Sequence, residues 1–163
     1  MTVNFKEKTL QDYTDQLSRR EPVPGGGSAA ALTAALGLGL ISMVTNYSIG
    51  RKANTKAVEK RLAAIVAQSE LMRLRLLELT SLDSEAYLKV TEARSLDKRA
   101  QREAAKYARA VPKEICALCY KAVGLTPYLV EKGNPYLVSD VEVALELLTS
   151  AFNGARVMVR VNS

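Results

Sequence analysis

Between Ala29 and Ile49 the chain is apolar on nearly every side of a helix, and Thr33 is the sole polar residue before Ser42. A helix without a polar face has to be enclosed, so this segment calls for a fold in which other helices lie along it. A bilayer is the rival environment. Against it, the unbroken apolar run falls short of roughly 20 residues, is rich in Ala and Gly, and ends in Ser42, Thr45, Asn46 and Ser48. Ala30, Ala34, Gly37 and Gly39 would let neighbouring backbones approach closely. The expectation is the buried central helix of a soluble helical bundle.

Composition supports that class. Of 163 residues 48% are hydrophobic but only 6% aromatic, with no Trp and two Phe, so the core must be built from Ala, Leu and Val, which favours packed helices over a sheet. The expected architecture is all-α: one domain over residues 1–163 with a central Ala/Gly-rich helix and long antiparallel helices. The net charge of +6 suits an anionic ligand, nucleic acid or an acidic surface without choosing among them. No finger or RNA-binding motif is present, and the few aromatics are not interleaved with basic residues as a stacking platform requires. Cys116 and Cys119 form a lone CxxC in a chain without His, so the usual four-ligand zinc set cannot be assembled. Lys6, Glu7, Lys8, Asp12 and Asp15 leave no signal-peptide core near the N-terminus, and the expected location is the cytoplasm.

In chain order, Thr9 can cap a first helix with Leu10, Tyr13 and Leu17 on one stripe. Pro22-Val23-Pro24-Gly25-Gly26-Gly27-Ser28 follows, rigid and then pliant. Ser28 is the expected cap of the central helix. Such a turn either seats an anion or polar group on its backbone N–H groups or simply lets two helices pack closely. Gly50 should end the central helix, with Arg51 and Lys52 at its negative pole. From Thr55 a long helix has Val58, Leu62, Ile65, Ser69, Met72, Leu76 and Leu79 stepping by four and three. Continued, the stepping lands on Asp83, then Ala86, Val90 and Ala93. Two readings are open: a carboxylate on the buried stripe, whose pKa would rise by desolvation, or a break near Thr80-Ser81 with Asp83 capping the next segment.

Beyond Asp97, Ala100, Ala104, Tyr107, Val111, Ile115, Leu118 and Ala122 mark another helix, which Pro112 should kink or restart. Gly124 ends it, Thr126-Pro127 reads as an N-cap with proline behind it, and a short helix stops at Gly133. Ser139-Asp140-Val141-Glu142 fits a capping box, and Val141, Ala144, Leu148, Ala151, Ala155 and Met158 mark the last helix.

Taken together, Pro24 to Ser28, Gly50-Arg51-Lys52, Asp83-Ser84-Glu85-Ala86-Tyr87, Val111-Pro112, Lys132-Gly133-Asn134, Ser139-Asp140-Val141 and Val157 to Asn162 resemble, in that order, the cyclodeaminase/cyclohydrolase family. Its members include methenyltetrahydrofolate cyclohydrolase and the cyclodeaminase part of formiminotransferase-cyclodeaminase. The resemblance implies an all-α dimer acting on a tetrahydrofolate one-carbon adduct, with no metal and no cofactor beyond the tetrahydrofolate that carries the unit. It implies either hydrolysis of 5,10-methenyltetrahydrofolate to the 10-formyl compound or ring closure of the 5-formimino compound with loss of ammonia. By that carry-over Asp83 is the acid/base and Lys52 a neighbouring positive charge. Gly25, Gly26, Gly27 and Ser28 receive part of the substrate, and Asn134 and Asp140 hydrogen-bond it. The expected partners are thus a tetrahydrofolate derivative and a second copy of the chain, with no nucleic acid and no membrane. The sequence departs from the family pattern at Ala53-Asn54, where a Tyr is common, in the short stretch Arg94 to Ala100, and in stopping at Ser163. Two non-enzymatic readings stand beside this one: a basic helical binding module and a purely structural dimer.

Overall fold

The computed structural model describes residues 4–162; the ends of the expected domain, 1–3 and 163, lie outside the described residues. The described chain is all-α, with six α-helices and two 3-10 turns. They are α1 (Leu10–Ser18), α2 (Gly26–Ser48), α3 (Lys56–Ala93), α4 (Lys98–Val123), α5 (Thr126–Lys132) and α6 (Val138–Val161), with 3-10 turns at Phe5–Glu7 and Pro135–Leu137.

The central helix is α2, as its lack of a polar face requires. By length and a mean hydropathy of 1.7 it could cross a bilayer, but 61% of that stretch is buried within the bundle. It packs chiefly on α3 and α6. Ser42 and Ser69 share a hydrogen bond of 2.8 Å, and the Ser28 N–H donates to Asp83, so α2 and α3 run antiparallel. On the other side, Cβ atoms at Gly26, Gly37 and Gly154 would meet Met158, Leu148 and Ala30, so α6 is also antiparallel to α2. At Gly37 the fit leaves no room, because a Cβ there would stand 3.0 Å from Leu148 Cγ. Leu38, Ile41, Leu62, Ile65, Leu76, Leu79, Ile115 and Leu148 form the aliphatic core.

Thr55 caps α3 by accepting from the Val58 N–H, and the helix then continues unbroken for 38 residues, about 57 Å at 1.5 Å per residue. Asp83 therefore lies inside one helix and does not cap a second. Arg75 ties α3 to α4 through a two-pronged pair with Glu114, at 2.7 and 3.0 Å.

The structure corrects several local expectations. Leu10 is 73% exposed and Leu17 also faces outward, so of the proposed α1 stripe Tyr13 alone is buried. The α2 helix begins a turn earlier than expected, with Gly25 as its N-cap, and Ser28 is a buried first-turn residue. Thr126 lies inside α5, and its hydroxyl donates to Val123 O. No capping box forms at Ser139, because the 3-10 turn at Pro135–Leu137 runs straight into α6 and leaves no extended residue there.

Pro112 neither stops nor restarts α4. A proline has no N–H to give the carbonyl four residues back, here Ala108. That carbonyl accepts instead from the Asn162 side-chain amide at 2.9 Å, while Arg109 Nε donates to Asn162 O at 2.9 Å. The end of α6 thus fills the gap in the α4 ladder. Asn162→Ala should leave a buried carbonyl unpaired and lower stability by about 1–3 kcal/mol. In a Pro112→Ala background the restored N–H takes over, and the same substitution should have a much smaller effect. Equal losses in the two backgrounds on urea denaturation would refute this coupling.

Candidate active site

The glycine loop is held in place before it reaches α2. Gln16 of α1 donates to Val23 O at 3.2 Å, and the Val23–Pro24 peptide is cis. Behind the loop, the Phe5 N–H donates to Ser81 Oγ at 2.9 Å, the Phe5 ring meets Tyr13 edge to face, and Tyr13 OH and Ser28 Oγ share a hydrogen bond of 3.0 Å. The first segment of the chain is therefore a brace behind the N-terminus of α2.

That N-terminus faces Asp83. The Ser28 N–H donates to Asp83 Oδ2 at 2.9 Å, so the carboxylate takes up one of the first-turn donors that a helix cannot satisfy internally. The approach is close because Gly27 has no side chain: a Cβ there would stand 2.5 Å from Asp83 Cγ. Desolvation pushes the Asp83 pKa above its ordinary 3.8, and the Ser28 N–H offsets part of that rise. Burial also raises Tyr13, aided by the neighbouring Asp83 charge.

Asp83 opens into a cavity of about 500 Å³, a size suited to a small organic ligand. Gly25 and Gly26 line it at the α2 N-terminus, and Pro22 and Val23 lie on its rim. Tyr87 and Val90 continue the α3 wall, with Arg94 beyond them; Ala108, Met158 and Asn162 close the far side. The cavity thus combines an apolar body with a carboxyl group, a helix N-terminus and a guanidinium, enough to hold a flat polar ring and to move a proton. Among the described residues no group of three or more His, Cys, Asp or Glu side chains is placed to hold a metal ion.

Of the residues expected from the sequence, the structure brings together Gly25, Gly26, Gly27, Ser28 and Asp83. It does not bring Lys52, Asn134 or Asp140 to them within one chain. Ser48 Oγ accepts from the Asn134 N–H at 2.8 Å, and Arg51 donates to Gly133 O, so these residues gather at the C-terminal end of α2. Ser28 and Ser48 stand about 30 Å apart along that helix. Lys52 is exposed in the turn after it, and Asp140 lies in the first turn of α6 at the same end. Asn134 has a local task as well, its side chain accepting from the Tyr136 N–H.

Sequence reasoning gave no role to Tyr87, Arg94, Met158 or Asn162, all of which line the cavity. Tyr87 stands one helical turn beyond Asp83 and could have been found by that spacing. Arg94, at the C-cap of α3, continues the same spacing through Val90 and could have been found with it, whereas Asn162 carries no such signal, because the packing of α6 brings it to the site.

The chain matches the family model for formiminotransferase-cyclodeaminase over residues 9–163. It is 34% identical to the methenyltetrahydrofolate cyclohydrolase of Methylorubrum extorquens, covering 96% of this chain and 79% of that protein. It is 31% identical to the formimidoyltransferase-cyclodeaminase of Sus scrofa over 95% of this chain, but spans only 30% of that longer protein. The crystal structure of formiminotetrahydrofolate cyclodeaminase from Thermotoga maritima superposes with a TM-score of 0.92 at 30% identity, covering 96% of this chain and 79% of that one. With the same all-α frame and a family match over almost its whole length, the chain belongs to the formiminotransferase-cyclodeaminase family.

Proposed function

We propose that the protein is a 5,10-methenyltetrahydrofolate cyclohydrolase that uses Asp83 as its acid/base. The observation that carries this reading is the Asp83 carboxyl, desolvated in a cavity wall and held against the N-terminus of α2. A raised pKa brings a carboxyl closer to the operating pH, where a group that must both take and return a proton works best. Water adds to the bridging carbon between N5 and N10, and Asp83 takes one of its protons, giving a neutral tetrahedral carbinol. The carbon–N5 bond then breaks as Asp83 returns that proton to N5, and the hydroxyl proton leaves to solvent as the formyl carbonyl forms on N10. One proton is released overall. Gly25 and Gly26 line the cavity at the N-terminus of α2, and first-turn N–H groups of a helix can stabilise negative charge developing on the oxygen.

The backbone agreement with a cyclodeaminase favours a second reading. There N10 closes on the formimino carbon and loses its proton to Asp83, which passes it to the imino nitrogen; with a second proton from solvent the carbon–nitrogen bond breaks and that nitrogen leaves as ammonia. Both reactions change the near-ultraviolet absorbance of the methenyl compound, one consuming it and one producing it. We expect the protein to accelerate loss of methenyltetrahydrofolate absorbance. Appearance of that absorbance from the 5-formimino compound, without acceleration of its loss, would replace the first reading by the second. No change with either substrate would refute both. The protein is further proposed to act as a homodimer, since Leu36 and Leu74 leave an apolar strip exposed along α2 and α3.

A further inference from the structure

Lys98, Arg102, Lys106, Arg109 and Lys113 recur on α4 at steps of four and three, which places these cations on one face over about 22 Å at 1.5 Å per residue. Arg99 stands beside them. That face borders α6: Arg109 donates to Asn162 O, and the Cys116 thiol, just beyond Lys113, approaches Phe152 O at 3.7 Å. Arg156 lies close enough to Cys116 for its charge to offset part of the rise that burial gives that thiol, and Arg160 is exposed one turn further on. Of the acids on α4 only Glu103 is free, since Glu114 is taken by Arg75 on the flank facing α3, and α6 has no acid beyond Glu146. Eight cations against one carboxylate exceed the +6 of the whole chain, so the remainder has no net positive charge and the basic character belongs to this face. None of the eight has an ion-pair partner among the described residues. Like charges one turn apart destabilise a helix unless something of opposite sign is brought to them.

Beyond Lys113 the same groove ends in a recess of about 190 Å³ lined by Cys119, Val123, Leu148, Thr149 and Phe152. Tyr120 stands on its rim, 79% exposed. The recess is smaller than the roughly 300–1,000 Å³ of a small-molecule site, and its size and apolar lining suit a single aliphatic or aromatic side chain. We propose that the groove between α4 and α6 docks an extended acidic segment of another protein, with one apolar side chain of that segment seated beside Tyr120. The row of cations matches about seven extended residues at about 3.3 Å each. From Lys113 to Tyr120 is about 10 Å along α4, so the anchor follows the acidic run by about three residues. Nucleic acid and an anionic bilayer would be drawn by the charge as well. A nucleobase, however, would bring hydrogen-bonding edges into a recess that offers little but apolar side chains. A bilayer takes up protruding apolar groups, whereas here they are sunk in the groove and the apolar face of α4 is turned into the core.

Fluorescence anisotropy tests the groove with a labelled peptide of about seven Glu, two Gly and one Phe. The wild-type chain should bind it, and raising the salt from about 0.05 to about 0.5 M should weaken the complex, because screening shortens the reach of exposed charges. Replacing the Phe of the peptide by Ser should lower affinity by about tenfold or more. Tyr120→Ala should weaken the Phe peptide and leave the Ser peptide unchanged. A triple variant, Arg102→Glu with Lys106→Glu and Lys113→Glu, should lose binding while melting no lower than the wild type, because all three side chains are exposed and unpaired. Undiminished binding by that variant would overturn the proposal, and so would equal affinity for the two peptides, which would leave the apolar recess without an occupant. Tighter binding of an oligothymidylate of the same length, or sedimentation with phosphatidylserine vesicles without peptide binding, would put nucleic acid or membrane in place of the protein partner and overturn it as well. No arm of the experiment uses a folate, so its outcome is independent of the chemistry assigned to Asp83.

Discussion

Replacing Asp83 by Asn yields a protein that folds, melts at a higher temperature than the wild type at neutral pH, and loses about 10²- to 10⁴-fold in rate. The amide keeps an oxygen for the Ser28 N–H but cannot carry a proton through the reaction. The stability gain follows from the direction of the pKa shift. Asp83 has a folded pKa above 3.8 because burial disfavours its charge. Between 3.8 and the raised value the folded state binds more protons than the unfolded one, so stability falls as pH rises through that window. The neutral carboxyl therefore contributes fully below pH 3.8, and at pH 7 the fold carries a charge it would rather not hold. Asn removes that burden, and the advantage of the variant should vanish below pH 3.8. The acid limb of the wild-type rate profile should likewise lie above the range of an ordinary aspartate. Melting curves and rates over pH 3 to 8 give all three results, and an Asn variant less stable than wild type at pH 7 would contradict the account.

Gly27→Ala should be the most damaging of the single-methyl additions. Alanine would normally strengthen a helix, by about 0.5–1 kcal/mol relative to glycine. Here the added carbon lands 2.5 Å from Asp83 Cγ and 2.7 Å from Oδ2. The carboxyl is partly buried, and α3 is one uninterrupted helix at that point, so little can give way. Overpacking of this kind lowers stability by about 1–3 kcal/mol, which outweighs the propensity gain. The displaced carboxyl should also lose its hydrogen bond, and activity should fall with it. Adding Asp83→Ala to Gly27→Ala removes the clash, so the double variant should recover most of the lost stability while staying inactive. If the single variant melts with the wild type, the packing of Gly27 on Asp83 is not as close as described.

The fold could be read from the sequence wherever apolar spacing is strict. The run after Ser28 demanded enclosure, and the four-three stepping from Val58 to Leu79 marked α3, with a place for Asp83 on its inner face as one of two open readings. What periodicity could not separate was a long helix from a broken one, because Thr80 and Ser81 suit either. The structure settles it: both side chains are buried, Thr80 donates back to Leu77 O, and Ser81 accepts from Phe5. Caps were misplaced where a neighbouring element supplied what the cap would have done, as at Ser28, whose hydroxyl goes to Tyr13. Half of the candidate site was legible, since Gly25 to Ser28 and Asp83 meet in one chain. Arg94 lay within reach of the same spacing, eleven residues beyond Asp83 at the end of α3, but Asn162 did not, because its place depends on how helices distant in sequence lie together, and no local pattern encodes that.

The pairing of Pro112 with Asn162 also constrains the order in which such a sequence can change. A lineage with an ordinary residue at 112 can acquire Asn162 first at little penalty, since the Ala108 carbonyl already has its donor and can accept a second. Once the asparagine is in place, proline at 112 becomes tolerable. Taken the other way round, the proline arrives with an orphaned carbonyl beside the cavity and is selected against. After both are present Asn162 cannot be lost while Pro112 remains, so Pro112 acts as a ratchet that fixes the last turn of α6 against the wall of the site.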